Sequence, residues 1–306
     1  MPTPTITSGS FVRALEPGLA EWFGDAYAEQ DQIFNKIFDE KKSKKAREYS
    51  TKKIGFGLAQ NKNQGGEVYM DYAKQGYTNT VEMVTYGLGF EITEDAIEDN
   101  QYEDLAASLT PDLGKSLRTT KEIIAHNIFN RGWTSGYTYG DGALLMSASH
   151  PTEAAGNLSN ILSTGADFSG ESLKTLYYQM GRSKNDRNLP IKLKGQKLFI
   201  PIELEMEVKE VVKSALKADT ANNNMNFWAK ESLMQDVIVS PYLTSSKSWF
   251  ILTDCPKSLV YFNRRPARIK TKPAPGSSDN LLVYASERYG FGVNDWRGVF
   301  GSQGVS

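Results

Sequence analysis

The residue types that most often carry catalysis are scarce in this chain of 306 residues, which has two histidines and one cysteine. Ser147 and Ser149 lie beside His150, but no Gly-x-Ser-x-Gly turn presents either hydroxyl as a nucleophile. A sequence neighbour is rarely the correctly oriented base, so a catalytic triad is not predicted. His126 lies in a helical pattern and is predicted to be a core or interface residue.

Two further motifs lack the residue spacing of the binding sites that they resemble. Leu113–Ser116 ends in the Gly-Lys-Ser of a phosphate-binding loop, but the first glycine of that motif falls on Leu109. The segment also lies in a helical leucine stripe, whose backbone N–H groups are committed and cannot cradle phosphate. The acidic cluster from Glu94 to Asp104 lacks the ligand spacing of a calcium loop, and carboxylates at a helix start interact with the helix dipole. No catalytic, metal or cofactor site is therefore predicted.

Composition narrows the class of protein further. Thirty-five basic residues against thirty-six acidic ones leave a net charge of −1, whereas a dedicated nucleic-acid binder carries a basic excess. A container for DNA needs no basic lining, because the genome brings its own counterions. The lone Cys255 excludes an intrachain disulfide and is consistent with a reducing cytoplasm. Neither a signal peptide nor an apolar stretch long enough to span a bilayer is found, so no membrane contact is expected.

The sequence of residues 1–45 predicts an extended arm that continues into a helix. Residues 1–16 are rich in Thr, Ser and Pro, and Pro17 suits the first turn of a helix. Apolar residues at helical spacing predict that this helix runs to about Lys45 and ends in a basic run. The stripe comprises Trp22, Phe23, Ala26, Tyr27, Ile33, Phe34, Ile37 and Phe38.

Residues 50–92 predict a long hairpin. Ile54, Phe56 and Leu58 alternate with smaller residues, the turn-rich segment 61–66 follows, and residues 68–72 return with period 2. So many glycines and polar residues cannot stabilise a hairpin in isolation. The hairpin therefore needs a partner to lie upon, which is a first indication of assembly.

A long helix is predicted from about residue 101 to 130, where leucines recur every fourth position. Pro111 is expected to kink this helix or delay its start, and Gly132 to end it. Residues 132–168 are predicted to be irregular. Ser169 is predicted to cap a short helix. The remaining pattern predicts a strand over 189–200, a helix opened by Pro201, short strands over 236–239, 249–253, 259–262, 281–285 and 290–293, and an exposed basic loop over 264–272.

Four stretches resemble, in order, segments of the major capsid proteins of tailed bacteriophages. Residues 85–100 (TYGLGFEITEDAIEDN) look like the return from an extended loop into a spine helix. Residues 141–151 (DGALLMSASHP), with 157–160 (NLSN), are similar to the segment after that helix. Residues 198–205 (LFIPIELE) resemble a strand-to-helix junction of the axial domain, and residues 287–302 (ERYGFGVNDWRGVFGS) resemble the family's C-terminal ending.

The resemblance implies an α+β protein with the Hong Kong 97-type capsid fold. It divides the chain into an N-arm with an amphipathic helix (1–49), an extended β-hairpin loop (50–92), a peripheral domain with the spine helix (93–145 and 256–306) and a mixed α/β axial domain (146–255).

The implied function is structural and not enzymatic. Subunits would assemble into pentamers and hexamers of an icosahedral phage head that encloses double-stranded DNA, with only non-specific DNA contacts. A separate scaffold protein and a portal are expected partners, and a cement or decoration protein is an optional one. The chain would reside in the virion after assembly in the bacterial host cytoplasm. An encapsulin-type compartment and a soluble hydrolase built around His150 remain alternatives.

Subunit contacts are predicted at three places. The N-arm helix would bury its aromatic residues against its own or a neighbouring spine helix, the hairpin would lie over the adjacent subunit, and the basic loop would pair with an acidic neighbour. Lys62 lies at the predicted loop tip, the place of a crosslinking lysine in the type member, but no crosslinking is the expectation. The candidate contact residues are Trp22, Phe23, Phe34, Phe38, Lys62, Tyr69, Tyr72, Arg264, Arg265 and Arg268.

Overall fold

The computed structural model describes most of the chain, with only the backbone described for residues 8–17 and 102–105. The described residues are 8–29, 31–93, 95, 96, 99, 102–214, 225–231, 233, 234, 236–274 and 280–305. The α-helices are α1 (Ser8–Glu29), α2 (Tyr102–Asn130), α3 (Gly170–Gly181), α4 (Glu205–Lys213) and α5 (Phe227–Lys230). The strands are β1 (Asp39–Lys42), β2 (Arg47–Ile54), β3 (Lys74–Glu82), β4 (Val84–Ile92), β5 (His150–Pro151), β6 (Asn157–Leu158), β7 (Gly195–Pro201), β8 (Asp236–Ser240), β9 (Trp249–Thr253), β10 (Leu259–Pro273), β11 (Leu281–Val293) and β12 (Val299–Ser302).

The long helix predicted near residues 101–130 is confirmed as α2, and it continues through Pro111. The first helix, α1, packs on it where α2 has a glycine. A Cβ atom at Gly114 would lie 3.1 Å from the backbone oxygen of Phe23, so a larger residue would push the two helices apart. Leu113 and Leu117 are buried at this crossing. The Gly-Lys-Ser sequence is therefore helical, and its glycine serves close helix packing.

Two four-stranded sheets form the frame of the molecule. The first has the strand order β1-β10-β11-β4, in which β1 runs parallel to β10 and the other pairs are antiparallel. The second has the order β12-β9-β7-β8, and only β7 and β8 are parallel. The mixture of strand directions and separate helices is that of an α+β protein.

The largest core cluster joins both sheets to the end of α2. Phe129 of α2 packs edge-on against Phe199 of β7 and Phe250 of β9, with ring centroids 4.9 and 5.2 Å apart. The same cluster contains Tyr261 of β10 and Tyr289 of β11. Because these aromatic residues come from distant parts of the chain, their burial fixes the two sheets and the helix as one packed unit.

A second cluster covers the other face of the β7–β9 sheet and follows the sequence pattern closely. The helix predicted after Ser169 is confirmed as α3, where Ser169 and Ser172 form a reciprocal capping box. Leu173 and Leu176 of α3 are fully buried, as is Leu198 of β7. The helix predicted after Pro201 begins as a 3₁₀ turn at residues 202–204 and continues as α4.

The prediction of one helix from Pro17 to Lys45 is wrong beyond Glu29. The chain forms a 3₁₀ turn at Phe34–Lys36 and then a strand, β1, beside β10. Tertiary contacts explain the difference. The backbone N–H groups of Ile33 and Phe34 donate to the Glu122 carboxylate of α2, 3.0 and 3.2 Å away, and no longer serve a continuing helix.

The predicted hairpin exists, but its strands lie elsewhere in the sequence. β2 pairs with β3 between residues 47–54 and 74–82, whereas residues 56–58 and 68–72 form no strand. Gly55, Gly57 and the polar run around Gly65 weaken strand pairing in the segment between them. β4 leaves the hairpin and pairs antiparallel with β11.

The predicted basic loop is also wrong, because residues 264–272 lie within the fifteen-residue strand β10. Pro266 is accommodated at an irregular region of pairing, where register shifts occur between Asn263 and Arg265 and between Arg265 and Arg268. A β-bulge tolerates a residue that cannot donate a ladder hydrogen bond. The two short strands predicted over 281–285 and 290–293 are one strand, β11. Among the described helices, none has the length and apolar character needed to cross a membrane.

Candidate assembly surfaces

The segment between β2 and β3, residues 55–73, exposes an unusual amount of apolar surface; we call it the hairpin tip. Six large apolar side chains in it are between 58% and 77% exposed. Scattered exposed apolar residues are ordinary, whereas several within one short segment are typical of an interaction surface. The six are Phe56, Leu58, Val68, Tyr69, Met70 and Tyr72.

Arg187, from the loop after α3, attaches the two ends of the hairpin tip to the body of the molecule. Its Nε donates to the backbone oxygen of Gly55 at 3.2 Å, and its Nη2 donates to that of Tyr72 at 2.8 Å. Asp71 lies 3.5 Å from the guanidinium and accepts hydrogen bonds from the backbone N–H groups of Gly57 and Tyr72. These two backbone donors hold the pKa of Asp71 below its ordinary value.

A four-residue ion network fixes the base of the hairpin; we call it the hairpin-base network. Lys52 of β2 places its Nζ 3.2 Å from Asp186 and 3.1 Å from Asp295. The guanidinium of Arg297 lies 3.3 Å from each of the same two carboxylates. Two cations face two anions in a largely buried setting, so the charges balance. An unpaired charge buried there would destabilise the folded state. The network sets the direction in which the hairpin leaves the body.

The predicted contact residues in the hairpin are exposed. Lys62 lies at the tip, and Tyr69 and Tyr72 are 58% and 72% exposed. They are available to a neighbouring subunit, and their role there stays a prediction.

The aromatic residues predicted on the N-arm lie differently. Phe23, Phe34 and Phe38 are at most 5% exposed and pack inside their own chain, while Trp22 is half-buried. Phe34 contacts the rings of Tyr261 and of other residues in the main core. In this conformation the three phenylalanines pack in the core of their own chain, one of the two predicted arrangements, and any contact that they make with a neighbouring subunit stays a prediction.

Arg264, Arg265 and Arg268 lie along the irregular part of β10. Arg268 is exposed, whereas the first two are half-buried. Arg265 donates from Nη2 to the Ser286 hydroxyl of β11 at 3.0 Å. The proposed pairing with an acidic neighbour therefore stays a prediction, and Arg268 is the side chain best exposed for it.

A cluster of charges lies buried between α1, α2 and β11. Lys121 forms an ion pair with Glu287, and Tyr27 of α1 donates from its hydroxyl to the same carboxylate at 2.8 Å. The guanidinium of Arg118 lies over the rings of Tyr27 and Phe34, at 4.9 and 5.3 Å. Burial lowers the pKa of Lys121. The polar groups of α2 thus meet α1 through specific partners.

Glu122 and His126, one turn apart on α2, are both fully buried. Burial raises the pKa of Glu122 to about 7 and lowers the pKa of His126 to about 4. The Nδ1 atom of His126 lies 2.6 Å from the backbone oxygen of Glu122, so Nδ1 carries the proton. Its Nε2 atom then accepts from the Ser240 hydroxyl at 2.8 Å. This histidine joins α2 to β8 and is a structural residue.

The surroundings of His150 do not support hydrolysis. Its Nδ1 lies 2.7 Å from Asp141, as in the oriented half of a triad, but its Nε2 faces the side-chain oxygen of Asn160 at 3.2 Å. The ring is fully buried and stacks on Trp296 at 4.2 Å. The adjoining cavity has a volume of about 10 Å³, enough for about one water molecule and too small for a substrate. Within the described residues, no group of three or more side chains has the arrangement of a metal site.

Comparison of the sequence with models of known protein families identifies the family. Residues 76–302, about three-quarters of the chain, match the family model described as phage capsid protein. The chain belongs to the phage capsid protein family. Among curated proteins, no sequence matches this chain.

Solved capsid structures share the fold of this phage capsid family member. A virus-like particle from Pyrococcus furiosus matches with a TM-score of 0.57 at 10% identity, covering 94% of this chain and 98% of that one. The procapsid of bacteriophage JBD30 matches with a TM-score of 0.53 at 14% identity, over 97% and 76%. The capsid protein of Mycobacterium phage Adephagia matches with a TM-score of 0.54 at 12% identity, over 90% and 91%. The fold is the Hong Kong 97-type capsid fold, as the resemblance implied.

Sequence reasoning missed the residues that attach the hairpin. Lys52, Asp186 and Arg187 stand in polar surroundings that give no signal of their pairing. Asp295 and Arg297 did lie in the family-like C-terminal stretch, but Lys52 and Asp186, with which they also pair, are more than 100 residues away. Contacts of this range follow from the fold and not from local pattern.

Proposed function

We propose that this capsid family member is the major shell subunit of a tailed-phage head, and that it assembles into pentamers and hexamers of an icosahedral shell around double-stranded DNA. The observation that carries the proposal is the hairpin tip, whose six exposed apolar side chains have no core of their own. The family match across residues 76–302 supports the same function.

The proposed mechanism is association without catalysis. A single interface repeated by rotation builds rings, and further contacts join the rings into a closed shell. A shell is stable even if each contact is weak, because every subunit binds several neighbours at once. We retain the division into N-arm (1–49), extended loop (50–92), peripheral domain (93–145 and 256–306) and axial domain (146–255) as part of this proposal.

Its partners and location follow the same proposal. Assembly takes place in the bacterial host cytoplasm, with a separate scaffold, a portal and, optionally, a decoration protein. The near-neutral charge of the chain fits a container that contacts DNA without sequence preference.

A second candidate is an encapsulin-type compartment without a packaged genome. The observation that keeps it is the similarity to the virus-like particle, which extends over 98% of that chain. The two candidates share the shell and differ in what it contains.

Electron microscopy of the full chain, expressed alone and then with the gene products encoded beside it, tests the proposal. We expect closed shells, ring-shaped capsomers or tubes, and nuclease-protected DNA once a portal and packaging motor are supplied. Shells that hold protein and never DNA would favour the compartment. A monomer under every condition would refute both candidates.

A further inference from the structure

The buried charge cluster between α1, α2 and β11 contains polar atoms that its direct contacts leave unpaired. Among the described residues, four of its side-chain atoms have no hydrogen-bond partner: Nε and Nη2 of Arg118, Oε1 of Glu287 and the hydroxyl of Tyr289. These three residues are at most 2% exposed. A buried polar atom without a partner loses its hydration and gains nothing in exchange, which destabilises the folded state. Four such atoms in one cluster therefore indicate that a further group binds there.

The unpaired atoms belong to one set of neighbouring side chains, which we call the polar seam: Tyr27, Arg118, Lys121, Glu287 and Tyr289. Glu287 and Tyr289 are two residues apart on β11, so their side chains lie on the same face of the strand. Lys121 forms an ion pair with Glu287 and places its Nζ 4.9 Å from the ring centre of Tyr289. Arg118 and Lys121 both lie over the ring of Tyr27, at 4.9 and 5.2 Å. The unpaired donors of α2 are thus neighbours of the unpaired acceptor of β11.

Direct contacts use only one oxygen of the Glu287 carboxylate. The Tyr27 hydroxyl donates to Oε2 at 2.8 Å, and Lys121 pairs with the same oxygen. The guanidinium of Arg118 lies over the rings of Tyr27 and Phe34, and within the described residues neither its Nε nor its Nη2 makes a hydrogen bond to Oε1. A small bridging molecule is what connects such donors and acceptors.

The chemistry of the seam selects the molecule. Arg118 only donates hydrogen bonds, whereas the Glu287 carboxylate only accepts them. Burial raises the pKa of Tyr289, so its hydroxyl keeps its proton and both donates and accepts. A small anion would be repelled by Glu287, and a small cation by Arg118 and Lys121. Water donates and accepts hydrogen bonds without carrying a charge.

We infer that the polar seam binds at least one buried water molecule, which connects Arg118 of α2 to Glu287 and Tyr289 of β11. A buried water molecule typically makes about three hydrogen bonds, which matches the three side chains. The seam also adjoins open space, because Tyr289 lines a groove of about 370 Å³ between β4, the end of α2 and β11. The site lies within one chain and does not depend on assembly.

Tyr289→Phe tests the inference by the sign of its effect on stability. The substitution removes the hydroxyl and keeps the ring. Removal of a hydroxyl without a partner relieves a desolvation penalty and stabilises the fold, whereas removal of a water-bonded hydroxyl destabilises it. We expect the unfolding equilibrium constant of the full, unassembled chain in urea to rise roughly fivefold. Tyr178→Phe is the matched control, because Tyr178 is 53% exposed. A change below about twofold is expected there.

A crystal structure of the chain, or a reconstruction of its particles, at a resolution that shows ordered water gives an independent measurement. We expect density within about 2.7–3.2 Å of Glu287 Oε1 and of an Arg118 nitrogen. An unchanged or smaller unfolding constant for Tyr289→Phe would overturn the inference, and so would a seam without this density. An anomalous signal at the site after bromide replaces chloride would also overturn it, since that signal identifies an anion.

Discussion

Lys121 of α2 and Glu287 of β11 illustrate how much the packing of α2 depends on single side chains. Both are at most 5% exposed, and Tyr27 of α1 shares their pair. Removing one partner of a buried ion pair leaves the other charge without compensation in a setting of low polarity, which costs more than the pair itself contributes.

Lys121→Ala is therefore expected to lower the free energy of unfolding by about 3–5 kcal/mol. Chemical denaturation of the unassembled subunit measures it. Lys209→Ala is the matched control, because its pair with Glu205 is largely exposed and an exposed pair contributes about 0–1 kcal/mol. Equal losses in the two variants would contradict the account of the buried cluster.

Glu122 and His126 act on stability in opposite directions as the pH changes. Glu122 has a pKa of about 7 against an ordinary 4.5, so the folded state binds more protons and stability falls as the pH rises through this range. His126 has a pKa of about 4 against 6.5, so the unfolded state binds more protons and stability rises. Between pH 4.5 and 6.5 the two effects oppose each other.

Glu122→Gln is expected to expose the His126 effect alone. Stability should then rise between about pH 4 and 6.5, by at most about 3 kcal/mol, since each pKa unit corresponds to about 1.4 kcal/mol. Urea unfolding at a series of pH values measures the slope. His126→Gln should give the opposite slope up to about pH 7, and identical slopes in the two variants would refute these assignments.

Among the elements, the hairpin is held by few but specific contacts. Arg187 bonds both ends of the tip, and the network around Lys52 fixes the base. The tip itself adds no buried core, so its order depends on these attachments.

Arg187→Ala should loosen the tip without unfolding the body. We expect amide hydrogen exchange in residues 55–73 to become at least tenfold faster, while exchange in α2 is unchanged. Arg182→Ala is the control, because Arg182 is an exposed arginine on the same loop with no bond to the tip. Unchanged exchange at the tip would show that Arg187 does not position it.

The exposed apolar side chains of the tip should matter for assembly and not for folding. Replacing Leu58, Met70 and Tyr72 together by serine should change the free energy of unfolding only slightly. Each exposed position contributes no more than about 0.5 kcal/mol. Assembled protein in sedimentation should fall at least tenfold, since each buried apolar side chain contributes about 1.5–3 kcal/mol to an interface. Tyr178→Ser, at another exposed aromatic residue, is the control. Normal assembly of the triple variant would contradict the role of the tip.

Elements with a strong local signal were predictable from sequence. α2 has leucines at every fourth position from Leu105 to Leu117, and Ser169 caps α3 through its own neighbours. The sequence pattern gave the wrong element where contacts with distant residues determine the local structure. Phe34 and Phe38 have helical spacing, but they pack in the core that α2 and the sheets form. The spacing around His150 predicted no catalytic triad, whereas its contacts with Asp141 and Trp296 became visible only in the fold.

For the whole molecule, the two sheets and α2 share one large buried core, while the hairpin tip carries exposed apolar side chains. Under the proposed function, a subunit of this form gains further burial from other copies. The capsid family match and the Hong Kong 97-type fold agree with that design.

The most direct test of the account is a cryo-electron microscopy reconstruction of particles assembled from the full chain. We expect a closed shell of fivefold and sixfold rings in which the hairpin tip of each subunit lies on the neighbouring subunit. A shell whose hairpin tips point into solvent, or a chain that remains monomeric with every candidate scaffold, would contradict it.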